Sequence, residues 1–332
     1  MTTMIGDLVQ SGQLRRSIGQ TKAQIQMLTT EVTTGVASDI AQHLRGDLGA
    51  LHSVRSALVR LDGYKTATTE MGLIASAAQQ VVQGISAFAT DLAEPLMSAG
   101  TYGQSSTIKA MGVEAAEKFK AAVTMLNTRV GDRAIFSGTA TDRAPLPDGA
   151  SLLQTLSAQV AGATTAAEAE AAISGWFDDP AGYSATFAGS TEAMRAEIAV
   201  GEYAELSVTA GSDALRDTLK ALALAAMLDD GALSLNSAEG ARLASAAGST
   251  LIEGSTARAD LTAELAVTEQ RIAEAQTRNS AEASALEIAQ AGLVEVDPYQ
   301  ASAQLSDAQT RLETIFAITA RMSQLSLVNF LK

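Results

Sequence analysis

Apolar and small residues recur at alternating steps of four and three at both ends of the chain. Near the start they are Leu14, Ile18, Thr21, Ile25, Leu28, Val32 and Gly35. Near the end they run Leu261, Leu265, Thr268, Ile272 and Ala275, then past Asn279 to Leu286, Ala289 and Leu293. Beyond Asp297-Pro298 they resume as Leu305, Ala308, Leu312, Ile315, Thr319 and Met322. This rhythm draws a narrow apolar seam along a helix, and such a seam needs a partner helix. The pattern predicts two long terminal helices paired in a coiled-coil-like bundle. Leu14, Ile18, Ile25, Leu28 and Val32 form one side, and Leu305, Leu312, Ile315 and Met322 the other. Leu325, Leu327 and Val328 extend the seam toward the C-terminus. Spacing alone fits an intramolecular bundle as well as contacts between copies.

Between the ends the pattern changes twice. Gly35 reads as a helix stop, and Ser38 or Asp39 can cap the next stretch. Helical spacing then runs through Leu44, Leu48, Leu51, Leu58, Leu61, Met71, Ile74, Ala78, Val81, Ile85, Phe88 and Leu92, with Pro95 expected to end or kink it. After a turn-rich gap at Ser98–Gly103, a further helix is predicted from Ser105 to Val130. Ala134–Gly149, with Pro145 and Pro147, reads as an extended exit. Leu152–Ser174 is Ala-rich and reads as helix. Tyr183–Phe187, Met194–Val200 and Ala204–Thr209 alternate at period two and read as short strands. Leu215–Leu228 returns to helix. A helix running unbroken to Val294 is expected after Ser237.

Asp297-Pro298-Tyr299-Gln300 is the sharpest local signal. Asp accepts at an N-cap, Pro suits the first helical position, and Gln sits where a capping box wants it. Asp297 and Pro298 therefore mark a bend between domains. The fold class expected is mainly α, with a small α+β domain inserted in the middle. The domains expected are 1–40 with 297–332 (terminal-helix coiled coil), 41–139 with 249–296 (helical rod), and 140–248 (the insert).

Composition narrows the function. The 332 residues are 47% hydrophobic but only 4% aromatic, which suits slender, closely packed helices. Net charge is −14, so nucleic acid is not an expected ligand. The acidity is concentrated in 140–250, where 15 acidic residues face 5 basic ones. The absence of cysteine excludes disulfides and thiolate chemistry. No run of apolar residues is long enough to span a membrane, and the first residues do not resemble a cleaved signal peptide.

Candidate chemistry is sparse. His43 and His52 are the only histidines and lie outside any H-E-x-x-H pattern. Asp178-Asp179-Pro180 and Asp229-Asp230-Gly231 read as turns rather than a calcium loop. Trp176-Phe177 reads as a core anchor of the insert. No catalytic, cofactor-binding or metal-binding residue is assigned, and no enzyme activity is expected.

Four stretches carry a family resemblance. They are Leu28-Thr-Thr-Glu-Val-Thr-Thr-Gly with Ser38-Asp39; Asn127 through Arg133-Ala-Ile-Phe-Ser-Gly-Thr; Val296-Asp-Pro-Tyr-Gln; and Thr319-Ala-Arg-Met-Ser-Gln-Leu-Ser-Leu-Val-Asn-Phe-Leu. Together they resemble the flagellin family, and within it the hook-associated proteins of the hook–filament junction. The opening residues lack the Asn-rich pattern of filament flagellins. The resemblance implies a structural subunit of the bacterial flagellum. Such a subunit is exported unfolded through the flagellar type III channel and assembles in the extracellular flagellum. The partners implied are copies of itself, a neighbouring hook-associated protein, flagellin, and a cytoplasmic export chaperone. A filament flagellin is the alternative within this class; a secreted coiled-coil adhesin or binding module is the alternative outside it.

Overall fold

The computed structural model describes residues 2–231 and 233–330, with backbone only for 2–11 and 323–330. The protein is mainly α-helical with two small antiparallel hairpins. By contacts the chain forms two compact units, 1–61 with 281–332 and 62–280.

In the first unit, helix α1 (Thr2–Thr34) stops at Gly35, whose φ of +71° is a left-handed value that favours glycine. The next residues bridge to the far end of the chain. Ala37 N–H donates to the Val294 carbonyl at 2.8 Å, and Val296 N–H to the Gly35 carbonyl at 3.0 Å. Helix α2 (Ile40–His43) is capped by Asp39, which accepts from Gln42 N–H at 2.9 Å. Helix α11 (Pro298–Phe330) opens at Asp297, which accepts from Tyr299 N–H at 2.8 Å. Helices α1 and α11 pack on one another.

Two long helices belong partly to each unit: α3 (Gly49–Tyr102) and α10 (Ser255–Val294). The rest of the second unit comprises α4 (Ser105–Leu126), hairpin β1–β2 (Arg129–Val130, Arg133–Ala134), α5 (Gly149–Val160), α6 (Ala166–Asp178), α7 (Tyr183–Thr186), hairpin β3–β4 (Met194–Ala199, Glu202–Leu206), α8 (Asp213–Ala226) and α9 (Ser237–Glu253). Its centre is α8, which buries Leu215, Leu219, Leu222 and Ala226. Its first half carries a charged face of Asp213, Arg216, Asp217 and Lys220, its last turns are wholly buried, and α4, α6 and α9 pack against it. The extended exit after α4 is fastened by Asn127, whose amide donates to the Leu146 carbonyl at 2.9 Å and accepts from its N–H at 3.1 Å.

Several local expectations are corrected. Tyr183–Phe187 is not a strand: its first four residues form α7, and the Tyr183 hydroxyl donates to the Ala210 carbonyl at 2.7 Å. Tyr183 also stacks on Phe177 with ring centroids 5.1 Å apart, a tertiary anchor that overrides an alternation only five residues long. The expected gap at Ser98–Gly103 is mostly helix. Gly100 sits there because α9 passes so close that a Cβ would lie 2.6 Å from the Ala241 carbonyl oxygen. Pro95 lies inside α3 and does not end it.

The Ala-rich stretch from Leu152 is two helices, not one, parted at Gly162, where φ is +87°. The helix returning from Ser237 is interrupted at Gly254. The buried Arg258 guanidinium takes the Leu251 carbonyl at 2.8 Å, the acceptor that continuous helix would have offered to Ser255.

Candidate functional site: the terminal-helix seam

The first unit holds the seam read from the sequence. The bridge at Val36 and Glu295 brings the C-terminal end of α1 to the start of α11, so the two helices run antiparallel. Leu28 lies beside Ala301 and Gln304 near the bridge, and Leu14 lies beside Ile318 and Met322 farther along.

The seam is filled by alternating large and small residues. Leu28 and Thr21 are each 5% exposed, and Ala301 and Ala308 each 4%. Leu14, Ile18, Ile25, Val32, Leu305, Leu312, Ile315 and Met322 are half-buried. The side chains of Leu325, Leu327 and Val328 lie outside the described residues. Small residues let the helices approach, while the long aliphatics reach across and keep part of their surface in solvent. Two helices alone cover only one stripe of each other.

Apolar surface also lies outside that stripe. Met27 is 39% exposed, and Phe316 and Ile318 are each 46% exposed. The 4-3 count passed over these three because each falls one position beside or away from a seam residue. They were visible only as extra apolar residues widening a heptad stripe. The Lys22 ammonium sits 5.9 Å from the centre of the Phe316 ring, a cation–π approach that shields little of it. An open cavity of about 260 Å³ is lined by Leu14, Ile318 and Met322 with Gln13 and Ser17.

Near the bend lies a cleft of about 350 Å³ lined by Gln24, Leu28, Glu31, His43, Asp297 and Gln304, among others. Its three carboxylates, Glu31, Asp39 and Asp297, are all engaged by backbone, Asp39 through Gln42 N–H. Glu31 accepts from Ser38 N–H at 2.9 Å, and Asp297 caps α11. Pro298, at the first position of α11, has no N–H to satisfy. His43 is exposed at the end of α2, and His52 is exposed on α3. Among the described residues no group of three His, Cys, Asp or Glu could hold a metal ion. No described helix is long and apolar enough to cross a membrane.

Charge is arranged differently in the two units. Every ion pair among the described residues lies within 62–280, including Arg195–Glu205 at 3.1 Å and Arg216–Asp213 at 3.1 Å. Arg15, Arg16, Arg311 and Arg321 of the terminal helices are exposed and form none. The pairing of α1 with α11 therefore rests on apolar contact. Asp179 accepts from Ala181 N–H at 2.8 Å in a turn, and Trp176 meets Phe177 edge to face at 5.0 Å, so both serve local packing.

Residues 252–331 match the bacterial flagellin C-terminal helical region. That stretch contains α10, the bend and α11, including its seam residues. Among solved structures, the fold is similar to a "putative flagellar hook-associated protein" from Vibrio parahaemolyticus. The sequence identity is 12%, the TM-score 0.51, and the match covers 73% of this chain and 95% of that one. None of the curated proteins matches.

Proposed function

We propose that this chain is a non-enzymatic structural subunit of the bacterial flagellum that joins hook to filament. The observation carrying this reading is the terminal-helix pair: a half-covered apolar seam, with Phe316 and Ile318 outside it, on a stretch similar to flagellin's C-terminal helical region. Neighbouring copies cover what one chain leaves open. At about 25 cal/mol per Å² of apolar surface, a few hundred Å² per contact gives several kcal/mol before ordering costs. The chain's domains are 1–40 with 297–332, 41–139 with 249–296, and the insert 140–248. The chain leaves the cell through the flagellar export channel. A cytoplasmic chaperone holds its C-terminal helix until then. In the flagellum it contacts its own copies, another hook-associated protein and flagellin.

Deleting the gene tests the position in the flagellum. Electron micrographs should show intact hooks without filaments, with flagellin shed into the medium. Normal filaments would overturn a flagellar joining role. Loss of filaments without shed flagellin would instead favour a filament flagellin, the second reading that the flagellin C-terminal match supports.

A further inference from the structure

Hairpin β3–β4 is tied to two long helices at once. The β3–β4 register pairs Glu197 with Tyr203 and Ala199 with Glu202, which leaves Ile198 as the extra residue of a bulge. Its side chain is fully buried, and its carbonyl is turned to α10, where Asn279 Nδ2 donates to it at 2.7 Å. Asn279 is itself buried, at a place in α10 flanked by seam residues. A buried amide costs stability unless it is partnered, so its place there depends on the bulge. Next to it, Arg278 pairs with Glu202. Farther along α10, the Ser207 hydroxyl donates to Glu264.

The tie to α3 is Tyr64, whose hydroxyl donates to Glu197 Oε1 at 3.3 Å. That same oxygen accepts from Gly201 N–H at 3.2 Å, so one carboxylate holds both the hairpin turn and the helix. On the outer face, Arg195 pairs with Glu205 at 3.1 Å and lies 3.9 Å from the Tyr203 ring centre. These cross-strand contacts stiffen the ribbon. A two-stranded ribbon is not stable alone, so its order comes from what it is fastened to.

Met194, Ile198, Ala204 and Leu206 join the same core as α8. We infer that β3–β4 is nonetheless a strap across α3 and α10, pinned by Tyr64 on one helix and Asn279 on the other, and that it opens as a unit while α8 stays closed. Its pins are polar and specific in position. A one-residue slip of either strand would move the bulge carbonyl away from Asn279. The pins lie at residues 64, 278 and 279, beside the ends of the compact unit at Asp62 and Ser280. This inference does not depend on the flagellar reading.

Hydrogen exchange on the full chain tests it, with Asn279→Leu and Tyr64→Phe compared against the unaltered protein. Both variants should speed exchange at 194–206 by about tenfold, although they lie on different helices, and leave α8 unchanged. If each variant loosens only its own helix and the hairpin keeps its original rate, the strap is wrong. A uniform rise across 62–280 would also overturn it, because the hairpin would then open only with the core. Tyr64→Phe removes one exposed hydroxyl and decides the matter if Asn279→Leu fails to fold.

Discussion

Tyr183 shows how one side chain sets a local structure against its sequence pattern. Its hydroxyl is buried and bonded to the Ala210 carbonyl, and burial pushes the phenol's pKa up, well above its usual 10.0. A group raised in the folded state contributes stability that is full below its unfolded pKa and falls as pH rises past it. Two carboxylates act in the opposite sense. Asp148 caps α5 by accepting from the Ser151 hydroxyl and from the Ser151 and Ala150 N–H groups, and these bonds hold its carboxyl below 3.8. Glu168, in the capping box of α6, is held below 4.5 by bonds from Thr164 and Thr165. Their contribution is present above those ordinary values and is lost as pH falls through the lowered ones. Urea unfolding of the second unit should therefore be steady from about pH 5 to 9 and weaken on both sides. Tyr183→Phe should cost about 1–2 kcal/mol at neutral pH and flatten the alkaline fall. An unchanged alkaline fall in that variant would remove Tyr183 from the account.

At the scale of elements, the expected mainly α fold with long terminal helices is what the structure shows. Leu312 is half-buried on α11, and a carboxylate there would interrupt the apolar stripe. Leu312→Asp should weaken association between copies by at least roughly tenfold and leave the circular dichroism and unfolding of 62–280 unchanged. Sedimentation of the variant beside the original chain checks this; equal association would exclude Leu312 from the contact. The long helices were legible because each repeats its spacing over many turns, and the start of α11 because Asp297-Pro298 is a local capping signal. The breaks were not. At Gly162 and Gly254 the signals are local and sit inside Ala-rich helical spacing: a left-handed glycine before the Thr165–Glu168 capping box, and Arg258 turning back on Leu251. Helix α7 depends on Tyr183 reaching Ala210, 27 residues on. Likewise, Phe316 and Ile318 fall outside a strict 4-3 count, so the exposed width of the seam emerged only once α1 and α11 were placed together.

For the whole molecule, the two units differ in what holds them. Residues 62–280 have a continuous core from Met71 to Ala275 and the ion pairs of the described residues. Residues 1–61 with 281–332 have a slender helix pair and a bridge at Val36 and Glu295. A pair that buries one stripe is poorly protected alone and gains order when other copies cover it. On the proposed flagellar role, amide hydrogen exchange at 14–32 and 305–322, in the free chain and in the chain assembled into flagella, measures this directly. The account predicts exchange within minutes in the free chain and slowing by roughly a hundredfold or more on assembly. Equally slow exchange at both stretches in the free chain and the assembled one would contradict it.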